Sequence, residues 1–88
     1  MDAKIALDHR AVIEKNGAIL RVFRPDGSAA FELTAPEGGA FYLFAEHVVH
    51  GQCPIVSFDQ ANKINGWTDW YYLVDVANGS MERLNPWR

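Results

Sequence analysis

The dipeptide Asn16-Gly17 constrains this chain more than any other feature. It lies between Ala11-Val12-Ile13-Glu14-Lys15 and Ala18-Ile19-Leu20-Arg21-Val22-Phe23-Arg24, two runs rich in β-branched and large apolar residues. Asparagine and glycine tolerate the positive φ that both central positions of a type I′ turn require. That turn also has the twist that joins two antiparallel strands. The spacing predicts a hairpin with Ile13 opposite Leu20 and Val12 opposite Arg21.

Arg24-Pro25-Asp26-Gly27-Ser28 extends the ribbon. Proline presets φ at the second turn position and glycine takes the left-handed position after it, giving a type I turn with a G1 bulge. A third strand, Ala29 to Thr34, follows, and Ala35-Pro36-Glu37-Gly38-Gly39 ends the meander. Carried on without interruption, this register pairs Val22 with Ala30 and Arg21 with Phe31. One face then shows Val12, Ile19, Phe23, Ala29, Phe31 and Leu33 among Arg10, Glu14 and Arg21. The other shows Ala11, Ile13, Leu20, Val22 and Ala30, with Lys15, Arg24, Glu32 and Thr34 at its margins. A one-sided antiparallel sheet alternates apolar and polar residues cleanly, and neither face here is plainly polar. The meander is therefore expected to be covered on both sides: by other elements, by its own curling, or by a second protomer.

Two patterns compete from Ala40 to His50. Glu46, His47 and His50 share a helical face, and Gly51 stands where a helix-ending glycine belongs. Phe41-Tyr42-Leu43-Phe44 is aromatic-rich and favours a strand. A short helix is the reading adopted. Cys53-Pro54-Ile55-Val56 reads as an extended connection. Ser57-Phe58-Asp59-Gln60 has capping-box spacing and predicts a second short helix through Asn65, stopped by Gly66. Trp67 to Val76 reads as a long strand, Ala77-Asn78-Gly79-Ser80 as a turn, and Met81 to Leu84 as a short return strand. Asn85-Pro86-Trp87-Arg88 is a tail whose tryptophan can dock back on the body. The sum is an α+β fold, a single domain over residues 1–88. Its antiparallel sheet has about five strands, a three-stranded N-terminal meander plus a C-terminal hairpin, with one or two short helices beside it.

Composition bounds the function classes. Apolar residues make up 49% of the chain, which indicates a packed core rather than disorder. Residues 25–82 carry only Lys63 against eight acidic side chains. Such a stretch does not suit a phosphate backbone, so nucleic acid is not an expected partner. The lone cysteine, Cys53, cannot form an internal disulfide. The first residues lack the apolar stretch of a secretory signal, and the longest near-continuous apolar run, Ala40 to Ala45, is too short for a bilayer. A cytoplasmic protein without a membrane span is expected.

His47-Val48-Val49-His50-Gly51-Gln52-Cys53 spaces three metal-capable side chains as His-x2-His-x2-Cys, with His9 as a conceivable fourth ligand. Zinc takes four such donors in a tetrahedron, but the specific zinc patterns have two separated ligand pairs, and this one does not. Solvated histidines and a small buried thiol explain the same residues, so no metal or cofactor is expected. Cys53 near His50 also raises the possibility of a thiolate nucleophile, which would need a base and partial exposure. There is no glycine-rich phosphate loop, no Gly-x-Ser-x-Gly elbow and no His-Glu-x-x-His pair. Asp59, Asp69 and Asp75 are acid–base candidates by type alone.

Trp67-Thr68-Asp69-Trp70-Tyr71-Tyr72 is the densest aromatic stretch. In a strand its aromatics divide between both faces, more than a thin core absorbs. Exposed Trp and Tyr are the anchors that protein interfaces use. The expected function is a small non-catalytic interaction protein. It binds a protein partner, or itself, through Trp67, Trp70, Tyr71 and Tyr72, with Arg21 on the open sheet face. The alternatives are a ligand- or metal-binding module using His9, His47, His50 and Cys53, and a small enzyme with a Cys/His site.

Overall fold

The computed structural model describes residues 1–88 and consists almost wholly of antiparallel strands. The first sheet has the order β1 (Asp2–Lys4), β2 (Arg10–Glu14), β3 (Ile19–Phe23), β4 (Ala29–Thr34). The second has the order β5 (Gly39–His47), β6 (Gly51–Phe58), β7 (Asp69–Asp75), β8 (Ser80–Pro86). Every neighbour in each sheet is also the next strand in the chain. No helix is long and apolar enough to cross a membrane.

The α+β expectation is therefore wrong: there are two four-stranded sheets and only short 3-10 turns. The residues read as a first helix form β5 and its tight turn into β6. Histidine spacing lost to the strand preference of Phe41-Tyr42-Leu43-Phe44 and to β6, a run buried from Cys53 to Val56. The second expected helix is a single 3-10 turn, Gln60–Asn62. Its cap is Asp59, whose carboxylate accepts from the Asn62 N–H, while Ser57 stays in β6. Gly66 belongs to an Asn65-Gly66 turn, both residues at positive φ, which links Ile64 and Trp67 by paired backbone bonds of 2.9 Å. The C-terminal return strand is longer than expected and includes Asn85 and Pro86.

Both N-terminal turns form as the sequence dictates. Asn16 and Gly17 have φ of 55° and 90°, and the Ala18 N–H donates to the Lys15 carbonyl. Val12 faces Arg21 and Ile13 faces Leu20. The Arg24–Gly27 turn closes, and the Arg24 N–H donates back to the Ser28 carbonyl at 2.8 Å. Beyond Phe23↔Ala29 the register shifts: Val22 faces Phe31, Arg21 faces Glu32 and Leu20 faces Leu33. Ala30 is the extra residue of a β-bulge, and side-chain direction reverses there.

This shift brings the large apolar residues of β4 onto the inner face. Ala11, Ile13, Leu20, Val22, Phe31 and Leu33 share the inner face, while Val12, Ile19 and Phe23 stay on the outer face as expected. The outer face carries its own charge pairs. Arg21 lies 3.0 Å from Glu14 and 3.3 Å from Glu32, and Arg10 pairs with Asp2 at 3.1 Å and lies over the Phe23 ring. Phe31 and Leu33, expected on this face, lie on the other.

The core joins Ile5, Ala11, Leu20 and Val22 of the first sheet and its β1–β2 link to Phe41, Val56, Phe58, Trp70, Tyr72 and Val74 of the second. Each large side chain fully removed from water there stabilises the fold by about 1.5–3 kcal/mol. The β2–β3 turn presses on the start of β5: a Cβ at Gly17 would lie 2.5 Å from the Phe41 carbonyl oxygen. Gly27 has almost the same φ, 91°, but open space around it. The pair separates conformational strain from close packing. Gly27→Ala should lose about 1 kcal/mol, the left-handed penalty alone, whereas Gly17→Ala should lose about 2 kcal/mol or more because the neighbouring strand must also move. Urea denaturation of the two variants measures both.

Candidate binding surface

The aromatic strand divides by the period of two. Trp70 and Tyr72 point inward and are buried, while Tyr71 lies on the second face of its sheet. The Trp70 Nε1–H donates to the Trp67 carbonyl at 3.1 Å, and the Tyr71 hydroxyl donates to the Glu46 carbonyl at 3.1 Å. Arg21 is on the outer face of the other sheet, held between two glutamates. Of the five residues expected to form one surface, the structure leaves only Trp67 largely free as an aromatic, 40% exposed just after the Asn65-Gly66 turn.

Trp67 does not stand alone. The Arg88 guanidinium lies 4.5 Å from the centre of its ring. The preceding residue, Trp87, is tied to the start of β7 by its N–H, which donates to the Asp69 carbonyl at 2.9 Å. Its ring meets Tyr42 edge-on, with centroids 6.2 Å apart. Tyr42 is the unpaired residue of a bulge in β5, between Phe41↔Val56 and Leu43↔Ile55, and is 56% exposed. Tyr42 with Trp87 and Trp67 with Arg88 thus form two contacts joined at the Trp87–Arg88 peptide, a corner of the surface. The docking of Trp87 was legible in the sequence. Tyr42 was hidden by the helix reading, and nothing in the sequence announces the bulge that turns it outward.

Near the tight turn of the β5–β6 hairpin, His47, Cys53 and Ile55 form a second buried group on the sheet face away from the main core. By register, Leu43 and Tyr71 flank Ile55 on that face. The His47 ring meets Tyr71 edge-on with centroids 4.8 Å apart. Both of its nitrogens are engaged. Nδ1 accepts the Val49 and His50 N–H groups at 3.1 and 3.3 Å, so Nε2 carries the proton and donates to Asn85 Oδ1 at 2.7 Å. His47 therefore works as a latch that fixes the hairpin turn and ties it to β8. His50 is exposed beside it, with ring centroids 5.1 Å apart, and His9 is bonded to the Leu7 carbonyl in the β1–β2 link. No three His, Cys, Asp or Glu side chains converge on a possible metal position.

Burial, helped by the Glu46 charge, pushes the Cys53 thiol up to about 11. A thiol held protonated and out of solvent is a poor nucleophile. Ser57 donates to Asp69 across the β6–β7 pair at 2.7 Å, which engages one of the three candidate aspartates; Asp59 caps its 3-10 turn, and Asp75 accepts from the Ala77 and Asn78 N–H groups. Comparison of the chain with family models, curated proteins and solved structures gives no match, and the functional reading rests on this geometry.

Two measurements test the second buried group. Cys53 should resist a thiol reagent at neutral pH in the native protein and react at once in denaturant. Below the ordinary thiol range, about 8.5, folded and unfolded thiols are both protonated and stability is unaffected. Above it the unfolded thiol ionises first, so stability should fall as pH rises toward about 11. His47→Phe keeps a ring against Tyr71 but removes the latch. It should cost about 1–2 kcal/mol and selectively speed amide exchange at Val49 and His50.

Proposed function

We propose that this chain is a small non-catalytic interaction module that binds a protein partner through the corner formed by Tyr42, Trp67, Trp87 and Arg88. The observation that carries this reading is a pair of side-chain contacts made by neighbouring residues: Trp87 meets the exposed Tyr42, and Arg88 lies over the exposed Trp67. Trp, Tyr and Arg are the residue types that dominate binding energy at interfaces. The corner is also ordered before binding. Tyr42 is set by a bulge, Trp67 by a tight turn and Trp87 by a backbone bond, so little side-chain freedom remains to be lost on association. Arg88 rests on a ring rather than a carboxylate, which leaves its planar fork of donors open to a partner's carboxylate or carbonyl oxygens.

The other readings have less behind them. A metal site would need one nitrogen of His47, and the latch engages both; a Cys/His enzyme would need Cys53 ionised and accessible. The acidic stretch from 25 to 82 does not favour nucleic acid. A fold that uses no disulfide suits the cytoplasm, where thiols stay reduced.

The test is affinity capture from the native host with the wild type and with Trp67→Ala and Tyr42→Ala. Both side chains are exposed, so both variants should keep the native spectrum and melting temperature. Each should weaken a partner captured by the wild type by about 2 kcal/mol. A partner held equally well by both folded variants would contradict the reading.

A further inference from the structure

We propose a second contact surface: the cleft beside the open end of β7 receives an extended, basic segment of a partner protein as an added strand. The β6–β7 ladder runs only from Ser57↔Asp69 to Ile55↔Tyr71. The next residue of β6 on that side is Pro54, which has no N–H for the ladder. From Leu73 to Asp75, β7 is therefore paired on one side only, with β8. None of the backbone bonds outside the ladders involves Leu73, Val74 or Val76. The amides and carbonyls that this stretch turns away from β8 are a free strand edge, the feature that strand addition uses.

The same stretch, with Ser80, Met81 and Glu82 of β8, lines a cleft of about 430 Å3 between the Ala6–Leu7 turn and the β7–β8 hairpin. Leu73, Val76, Met81 and Leu7 supply most of the apolar wall. Leu7 stands at its lip, 75% exposed and with φ of 53°, a left-handed conformation that leucine adopts at a cost. The charged residues lining the cleft, Asp75 and Glu82, are both acidic and lie in no salt bridge. Hydrogen bonds from Asn78 hold the Asp75 carboxyl below its usual range, so it stays ionised. The protein's other cleft contrasts with this one: it brings Asp2, Lys4, Asp8 and Arg10 together, and their charges pair with each other. An unpaired strand edge between apolar walls and two carboxylates without a cationic partner complements an extended segment that alternates apolar and basic side chains. The aromatic corner adjoins the opposite end of β7, so either surface can fail without the other.

Isotope-labelled full-length protein titrated with a short synthetic peptide of alternating lysine and valine tests the assignment by two-dimensional NMR. The amides of residues 73–77 should shift most, and the glutamate–valine counterpart should leave them unchanged. Glu82→Lys, at an exposed position, should weaken the lysine–valine peptide by about tenfold. Leu7→Gly, which suits a positive φ, should keep the fold and also weaken the peptide. The proposal is overturned if the lysine–valine peptide causes no shift there, if the glutamate–valine peptide binds equally, or if Glu82→Lys changes nothing. It is also overturned if concentrating the protein alone produces the same shifts, which would assign the edge to a second copy of the chain.

Discussion

Side chains in a strand change face with every residue, so a single extra residue in a ladder reassigns everything after it. Three such irregularities decide what this small fold buries and what it shows. The extra Ala30 turns Phe31 and Leu33 inward and leaves Glu32 beside Arg21. The unpaired Tyr42 places an aromatic ring in solvent next to Trp87. The shift between Trp70↔Pro86 and Tyr72↔Arg83 adds a residue to β8 just where Asn85 reaches His47. Without the first bulge the inner face would lose Phe31, whose ring packs beside Gly79 of the β7–β8 turn.

The parts of the fold written in short-range turn chemistry were legible. Asn16-Gly17 fixed both the turn and the register of β2 against β3, because positive φ at two adjacent positions leaves few residue choices. Pro25-Asp26-Gly27 fixed the next turn for the same reason. The bulge at Ala30 has no comparable signature. Alanine neither demands nor refuses it, and the gain lies in long-range burial that one strand's sequence does not display. The uninterrupted register therefore put Phe31 and Leu33 on the wrong face, whereas Val12, Ile19 and Phe23 lie outside as the β2–β3 turn dictates.

The second sheet was less legible because local signals disagreed there. His47, His50 and Gly51 fit a helix end, yet Gly51 at φ of 71° serves the hairpin turn instead. Asn65-Gly66 carried the same hairpin signal as Asn16-Gly17, but the capping-box spacing before it drew the reading toward a helix. Of the expected surface residues, Trp70 and Tyr72 were drawn into the core by the same alternation that gave the strand its identity. Trp67 stayed outside because it precedes the ladder. The large apolar side chains that remain exposed include Tyr42 and Trp67 at one end of β7, Leu7 by the cleft near its other end, and Val48 and Val49 at the β5–β6 turn.

The register of β3 against β4 is the most direct test of this account, because the sorting of faces follows from it. Interstrand nuclear Overhauser contacts in the labelled protein should connect the backbones of Val22 and Phe31 and place the Phe31 ring beside Gly79. Continuous pairing of Val22 with Ala30 and of Arg21 with Phe31 would contradict it, since Phe31 would then lie on the solvent face among Arg21 and Glu14.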